Sequence, residues 1–314
     1  LITYLRKRLI GLLVVLTGVT ILSFLLSSFT SVDPAEALAR RSLLNPTPEQ
    51  IEELRWKMGL HLPIHQQYFH WLGNVVKGDL GISLLTKNAV SSDIAQKLPE
   101  TLKLAGMALV WIILLTLPIS VISAVRQNRL FDHVVRGITI LGISIPNFWL
   151  GFLLLLVFAI AVPVFKVIDY GNMKSLILPS VVLAIPVAAT FIRLFRATIL
   201  SNLNKDYVVY AKARGISTKR IIGVHVLRNS LPPMVTLFCQ YLGLMVAGSA
   251  VVESVFSIQG IGMHLVHAIL SRDLPTVHGC VLVIAFIFVI GRALADIVNC
   301  LLDPRMVDRG EVPL

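Results

Sequence analysis

Apolar positions along this chain gather into long runs and leave little room for alternation with polar ones. Six runs are long enough to cross a hydrocarbon core of about 30 Å, which takes about 20 helical residues. They are Leu9–Phe29, Thr101–Val125, Gly137–Val162, Leu176–Leu200, Leu231–Val252 and Gly279–Leu302. A backbone in lipid must satisfy its own hydrogen bonds, and runs of this length lack the alternation of a barrel strand. The pattern predicts an all-α membrane protein with six transmembrane helices. Arg6-Lys7-Arg8 before the first run and Ala35-Glu36-Ala37 after it resemble a signal peptide and its cleavage site. A signal core rarely exceeds about 15 residues, so this longer run is read as a retained helix.

About 70 residues separate the first two runs, too many for a simple connection. Thr47-Pro48-Glu49-Gln50 has the form of a helix start: Thr47 caps, Pro48 fits the first helical position, and Gln50 reaches back to complete a capping box. Gly59 is placed to stop that helix. A second begins at Pro63 and sets Ile64, Tyr68, Trp71, Leu72 and Val75 on one face before Gly78 ends it. Residues 31–97 are thus expected to form a small helical cap, lying on the bundle or meeting an outer partner.

Composition narrows the class. Of 314 residues 56% are apolar and 14% charged, against about 25% charged in soluble domains. A soluble enzyme, an exported disulfide scaffold and a disordered chain are excluded. The net charge is nevertheless +11, from 28 Lys and Arg against 17 Asp and Glu. Six spans return both ends of the chain to one side. The segments on that side are the N-terminus, 126–136, 193–230 and the tail from Asp303, with 16 basic and 5 acidic residues. Everything else carries 12 of each, so the whole excess lies on one side. Basic loops stay cytoplasmic, which puts both termini in the cytoplasm and turns the charge into a topology signal, with no nucleic-acid partner implied. Cys239, Cys280 and Cys300 fall within spans at no ligand spacing and are read as small buried apolar residues.

The inner segment after the fourth run holds more helix punctuation than a charged loop requires. It runs Asp206-Tyr-Val-Val-Tyr-Ala-Lys-Ala-Arg-Gly215, then Ile216-Ser217 and on to Leu227-Arg-Asn-Ser-Leu-Pro232. Gly215 supplies the positive φ that ends one short helix, Ser217 caps the next, and Pro232 is expected to open the fifth span. Helix, sharp turn, helix, crowded by Lys205, Lys212, Arg214, Lys219, Arg220 and Arg228, is a form suited to docking a cytosolic partner.

This loop resembles the cytoplasmic coupling loop of ABC importer permeases, with Ala211 and Gly215 matching the so-called EAA motif and Val209 at its glutamate position. The wider resemblance, over essentially the whole chain, is to the dipeptide, oligopeptide and nickel permease family, first-permease type. It is carried by Leu54–Leu60, Gln67-Tyr68, Trp71-Leu72-Gly73, Gly78-Asp79-Leu80-Gly81, Gly142–Trp149, Asp206-Tyr207, Leu227-Arg228-Asn229, Val252–Phe256, Gly260-Ile-Gly262, Arg272-Asp273 with Pro275, and Asp303-Pro304-Arg305. The resemblance implies a type I ABC importer permease bundle: an N-terminal transmembrane helix at 1–30, the cap at 31–97, a five-helix core at 98–302 with a coupling loop at about 201–230, and a cytoplasmic tail at 303–314. It further implies a second homologous permease subunit, two cytosolic ABC ATPase subunits, an extracytoplasmic solute-binding protein and a bacterial cytoplasmic membrane. Asp206, Tyr207, Tyr210, Ala211, Lys212, Arg214, Gly215, Ile216 and Ser217 then become the ATPase-coupling residues. The sequence has no G-x-x-x-x-G-K-[ST] loop, so no cofactor is expected on this chain, and ATP with Mg belongs to the partner ATPases.

Polar groups in the spans are candidate pathway residues. Pro146-Asn147 interrupts the third run, where a loosened helix and an amide fit either a pathway wall or interhelical contact; Pro186 is expected to bend the fourth. Glu253 closes the fifth run near the outer face, ahead of Gly260-Ile-Gly262. Arg292 and Asp296 lie one turn apart in the sixth and are read as a structural ion pair, although the family usually has a neutral amide at position 292. His264 and His267, at i and i+3, are weak metal-ligand candidates lacking a third ligand at fixed spacing. Two other classes fit the sequence less well. An ion-gradient-driven secondary transporter calls for intramembrane carboxylates, which are few here, and a membrane enzyme calls for a catalytic constellation, of which no sign is visible. The substrate expected is a small peptide or a nickel complex.

Overall fold

The computed structural model describes residues 2–29, 33–43, 45–166 and 172–302, with the backbone alone at 2–9, 28, 41, 42, 296 and 299–302. The described residues are helical throughout, apart from turns and one isolated β-bridge between Ile82 and Ala89. The long apolar runs become α1 (Ile2–Ser28), α5 (Val90–Val125), α8 (Ile177–Leu203), α11 (Leu227–Val255) and α13 (Leu274–Leu302). Between α1 and α5 lie α2 (Pro34–Ser42), α3 (Pro48–Lys57) and α4 (Ile64–Val76). The third run is split into α6 (Leu130–Ser144) and α7 (Asn147–Leu155), the latter ending in a π-helical turn at Leu156–Ala161. Short helices α9 (Asp206–Ala213) and α10 (Thr218–Arg220) precede α11, and α12 (Ile261–Leu270) precedes α13. Among the described residues five helices are long and apolar enough to cross a membrane, six if the bent α6–α7 pair is one span.

The structure refines or corrects the expectations at four positions. Pro146 does not merely loosen the third span: the chain turns by 103° there. Pro lacks a donor and forces the residue before it out of helical geometry, and Ile145 is extended at φ −79°, ψ 124°. Pro232 does not open the fifth span, because helix runs unbroken from Thr218 through a π-helical turn at Ile221–Val226 and past both Pro232 and Pro233. The second loop helix is therefore the N-terminal end of the span itself. Ser217 sits at the N-cap of α10 without a side-chain cap bond. Pro186 lies inside α8, which continues through it.

The described contacts divide the chain into two compact units, Leu1–Thr101 with Gln259–Val289 and Leu102–Ile258 with Ile290–Leu314. In the first, α4 buries the predicted face, with Tyr68 innermost, against α1. Thr20 and Tyr68 share a hydroxyl hydrogen bond of 3.1 Å, Phe24 stacks on His278 at 3.9 Å, and Ser23 Oγ bonds His278 Nδ1 at 2.8 Å. The Thr47–Gln50 capping box forms, at 3.0 and 3.4 Å. Helix α2 was not anticipated: Asp33 caps it through the Ala35 amide at 2.9 Å and accepts from Arg55 of α3. That carboxylate raises the Arg55 pKa. Asp273 gathers Ser83 Oγ (2.5 Å), the Leu84 amide (3.0 Å) and Thr276 Oγ1 (2.8 Å), which fastens the 79–89 loop to the start of α13.

The second unit is built around α8. Apolar on most of its circumference, this helix buries Phe191, Phe195 and Ile199 completely, as an all-round apolar helix must. Phe191 meets Phe238 and Tyr241 of α11 at 4.7 and 4.9 Å between ring centroids. Helix α6 comes close enough that a Cβ on Gly142 would stand 3.1 Å from Ala189 Cβ.

Candidate functional site

The turn between α8 and α11 assembles from local rules. Asp206 opens α9 and places a carboxylate at the positive end of its dipole. Eight residues on, the helix is closed by a Schellman arrangement: the Gly215 amide donates to Lys212 O at 2.9 Å and the Ile216 amide to Ala211 O at 3.1 Å. Gly215 takes φ +74°, and nothing lies near the position its Cβ would occupy. Backbone conformation alone therefore demands glycine here.

Helix α9 packs on the π-helical turn below α11. Val208 and Ala211 are buried, whereas Val209 and Tyr210 stand 61% and 71% exposed. Lys205, Asp206, Lys212, Arg214, Gly215 and Ser217 are exposed as well, with Tyr207 and Ile216 half-buried. The structure thus brings the predicted coupling residues together on one short helix and its turn, with an outward face that pairs apolar and aromatic surface with basic charge. A membrane bundle would gain nothing from exposing Val209 and Tyr210 in this way, and a docking surface would.

The turn is fixed from below by residues that sequence reasoning missed. Asn202, buried in the last turn of α8, donates to Ser230 Oγ of α11 at 3.0 Å and accepts from Tyr207 Oη of α9 at 3.3 Å. Further along α8, Arg196 donates from Nε and Nη2 to Asp132 at 2.6 and 2.7 Å. The fully buried Asp132 also accepts from Ser123 Oγ at 2.6 Å and the Asn128 amide at 2.9 Å, joining α5, α6 and α8. Local pattern does not show these contacts, because Ser230 lies 28 residues from Asn202 and Asp132 lies 64 from Arg196.

The remaining candidates are dispersed. Pro146 and Asn147 form the corner between α6 and α7 and the first residue of α7. Glu253 is fully buried within α11 and accepts from Ser249 Oγ at 2.7 Å. Arg292 is exposed on α13, and the Asp296 side chain lies outside the described residues, as does that of Cys300. His264 is buried and His267 exposed on α12, and among the described residues no group of three or more His, Cys, Asp or Glu side chains converges as a metal site. Burial lowers the His264 pKa, with Lys97 adding to the effect.

Known proteins place this architecture. Residues 116–308 match the family described as binding-protein-dependent transport system inner membrane component, and residues 1–105 match its N-terminal companion. A Brucella abortus (strain 2308) permease, assigned provisionally to a peptide transport system, is 34% identical over 308 residues, 96% of this chain and 97% of that one. The glutathione transport system permease protein of Escherichia coli (strain K12) is 33% identical over 305 residues, covering 97% and 99% of the two chains. The chain belongs to the binding-protein-dependent transport system permeases, as a multi-pass inner-membrane subunit of an ABC importer of the peptide family.

Proposed function

We propose that this permease imports small peptides and that the turn from Asp206 to Ser217 receives the stroke of a cytosolic ATPase. The observation that carries the proposal is the turn itself: a capped helix with an exposed aromatic and basic face, seated between the inner ends of two spans. Tyr210, Lys212 and Arg214 form the docking surface, Gly215 sets the angle at which α9 leaves the turn, and buried Val208 and Ala211 seat it. ATP and Mg bind the ATPases, which supply the hydrolytic chemistry; this chain contributes the mechanical link and part of the pathway wall. The working complex holds this chain, a second homologous permease, two ATPase subunits and an extracytoplasmic solute-binding protein. The basic segments face the cytoplasm, together with both termini, and residues 31–97 form the outer cap. Pro146 and Asn147 are assigned to the pathway side of the bundle.

The substrate class is supported by what the relatives' names say they carry, peptides and glutathione. Uptake of labelled dipeptide and of labelled nickel, each in cells lacking the chain and in cells with it restored, tests the assignment. Dipeptide uptake is expected to follow the chain and nickel uptake to be indifferent to it; restoration of nickel uptake alone overturns the substrate. Co-purification tests the coupling, because transport on an ion gradient without an associated ATPase overturns it.

A further inference from the structure

One buried amide ties the turn to both neighbouring spans. Asn202 sits in the last turn of α8, where its Nδ2 donates to Thr198 O at 3.1 Å within α8 and to Ser230 Oγ at 3.0 Å on α11. Its Oδ1 accepts from Tyr207 Oη on α9 at 3.3 Å. Ser230 is fully buried and hands its own proton to Val226 O at 2.8 Å, in the π-helical turn against which α9 packs. Only Asn204 and Lys205 join α8 to α9, and only Arg214 to Ser217 join α9 to α10. An eight-residue helix has little stability of its own, and short connections of this kind are where hinges form. A push on α9 would be absorbed by rotation at the two connections unless side chains lock the helix to what lies behind it.

We propose that Asn202 is the positioning residue that makes α8, α9 and the inner end of α11 move as one body, so that displacement of α9 enters two spans at the same moment. This rests on the turn being the ATPase-facing element. An amide suits the task because it donates and accepts at once and thereby holds a serine and a tyrosine hydroxyl together. A leucine of similar size fills the space but releases both. In the buried interior the alternative to each bond is an unpaired polar group, which gives the junction one favoured geometry.

The test compares Asn202→Leu, Ser230→Ala and Tyr207→Phe with the parent chain in the complete transporter, reconstituted with its ATPase subunits and binding protein in proteoliposomes. Uptake of labelled dipeptide and release of phosphate are measured on the same vesicles. Uptake per ATP hydrolysed is expected to fall about tenfold for Asn202→Leu and about threefold for each single-hydroxyl variant, the scale of losing buried hydrogen bonds. Complex assembly and the rate of hydrolysis are expected to hold for Asn202→Leu and Ser230→Ala, neither of which faces the ATPase. An unchanged ratio overturns the proposal, and so does a parallel loss of uptake and hydrolysis, which marks a residue that only supports the fold. If Asn202→Leu fails to assemble, Ser230→Ala decides by the same ratio, since it removes one hydroxyl from the same junction without touching α9. A Tyr210→Cys cross-link to cysteines on the ATPase separates the two claims. With the cross-link formed and the ratio unchanged, Asn202 alone is refuted; with no cross-link, the coupling assignment falls and takes this proposal with it.

Discussion

At the scale of the residue, backbone conformation and burial decide most of what a substitution does. Gly215 holds φ +74° in open space, so a β-branched side chain meets no neighbour yet pays about 1–2 kcal/mol to stay left-handed. Gly215→Val is expected to insert normally and to lose uptake per ATP hydrolysed, measured in proteoliposomes, with Gly215→Asn milder because asparagine tolerates that region. His264 gives a pH signature. Burial holds its pKa below the ordinary 6.5, so the unfolded chain takes up the proton first and stability is lost as pH falls below about 6.5. Thermal unfolding in detergent should show that loss in the parent and a flatter profile in His264→Gln. Punctuating residues were legible in advance: Gly215 and the Thr47–Gln50 box stand where the sequence places them. The same rules applied at Asp33-Pro34 would have found α2, whose cap follows them too. Asn202 was not legible, because nothing local distinguishes an amide that meets a serine 28 residues on from one that faces solvent.

At the scale of the element, helices are located by hydropathy but joined by close approach and by buried charge. A Cβ on Gly279 of α13 would stand 2.6 Å from Val90 Cγ1 at the start of α5. Gly279→Val is therefore expected to lower stability by about 1–3 kcal/mol through overpacking, and Val90→Ala in the same chain should recover part of it. Helices α5, α6 and α8 meet at Asp132, and truncating one member of a buried pair leaves the other charge stranded. Asp132→Ala should cost about 3–5 kcal/mol in an unfolding measurement, whereas replacing Asp132 and Arg196 together by apolar residues should cost far less. Hydropathy could not foresee the angle at the break in the third run or the extension of the fifth. Prolines stand in both, and their effects differ with what surrounds them: Pro146 takes the corner before α7, while Pro232 and Pro233 are carried within a helix already begun at Thr218.

At the scale of the whole molecule, the orientation proposed above is open to a direct labelling test. A membrane-impermeant thiol reagent on intact cells is expected to label His70→Cys in the cap, and to reach Lys212→Cys in the turn only after permeabilisation. The reverse pattern would invert the protein and remove the turn from any cytosolic ATPase. The 103° corner at Pro146 governs the outcome through parity. If α6 and α7 formed a hairpin dipping into the membrane and returning, α8 would cross the other way and carry the eight basic residues of 193–230 to the outer surface, against the charge rule. In the proposed orientation the chain crosses at the corner, and the angle limits how. Two 15-residue arms are each about 22 Å long. With one arm upright the other lies nearly flat, and the pair falls short of the hydrocarbon core. Tilted equally, each arm climbs about 14 Å and together they span about 28 Å, close to the thickness of about 30 Å required. In that arrangement the corner lies at mid-depth, so Pro146, which has no amide hydrogen, and the first amides of α7, which no preceding turn of helix can serve, lie at the centre of the membrane, where they must face protein or water and never lipid.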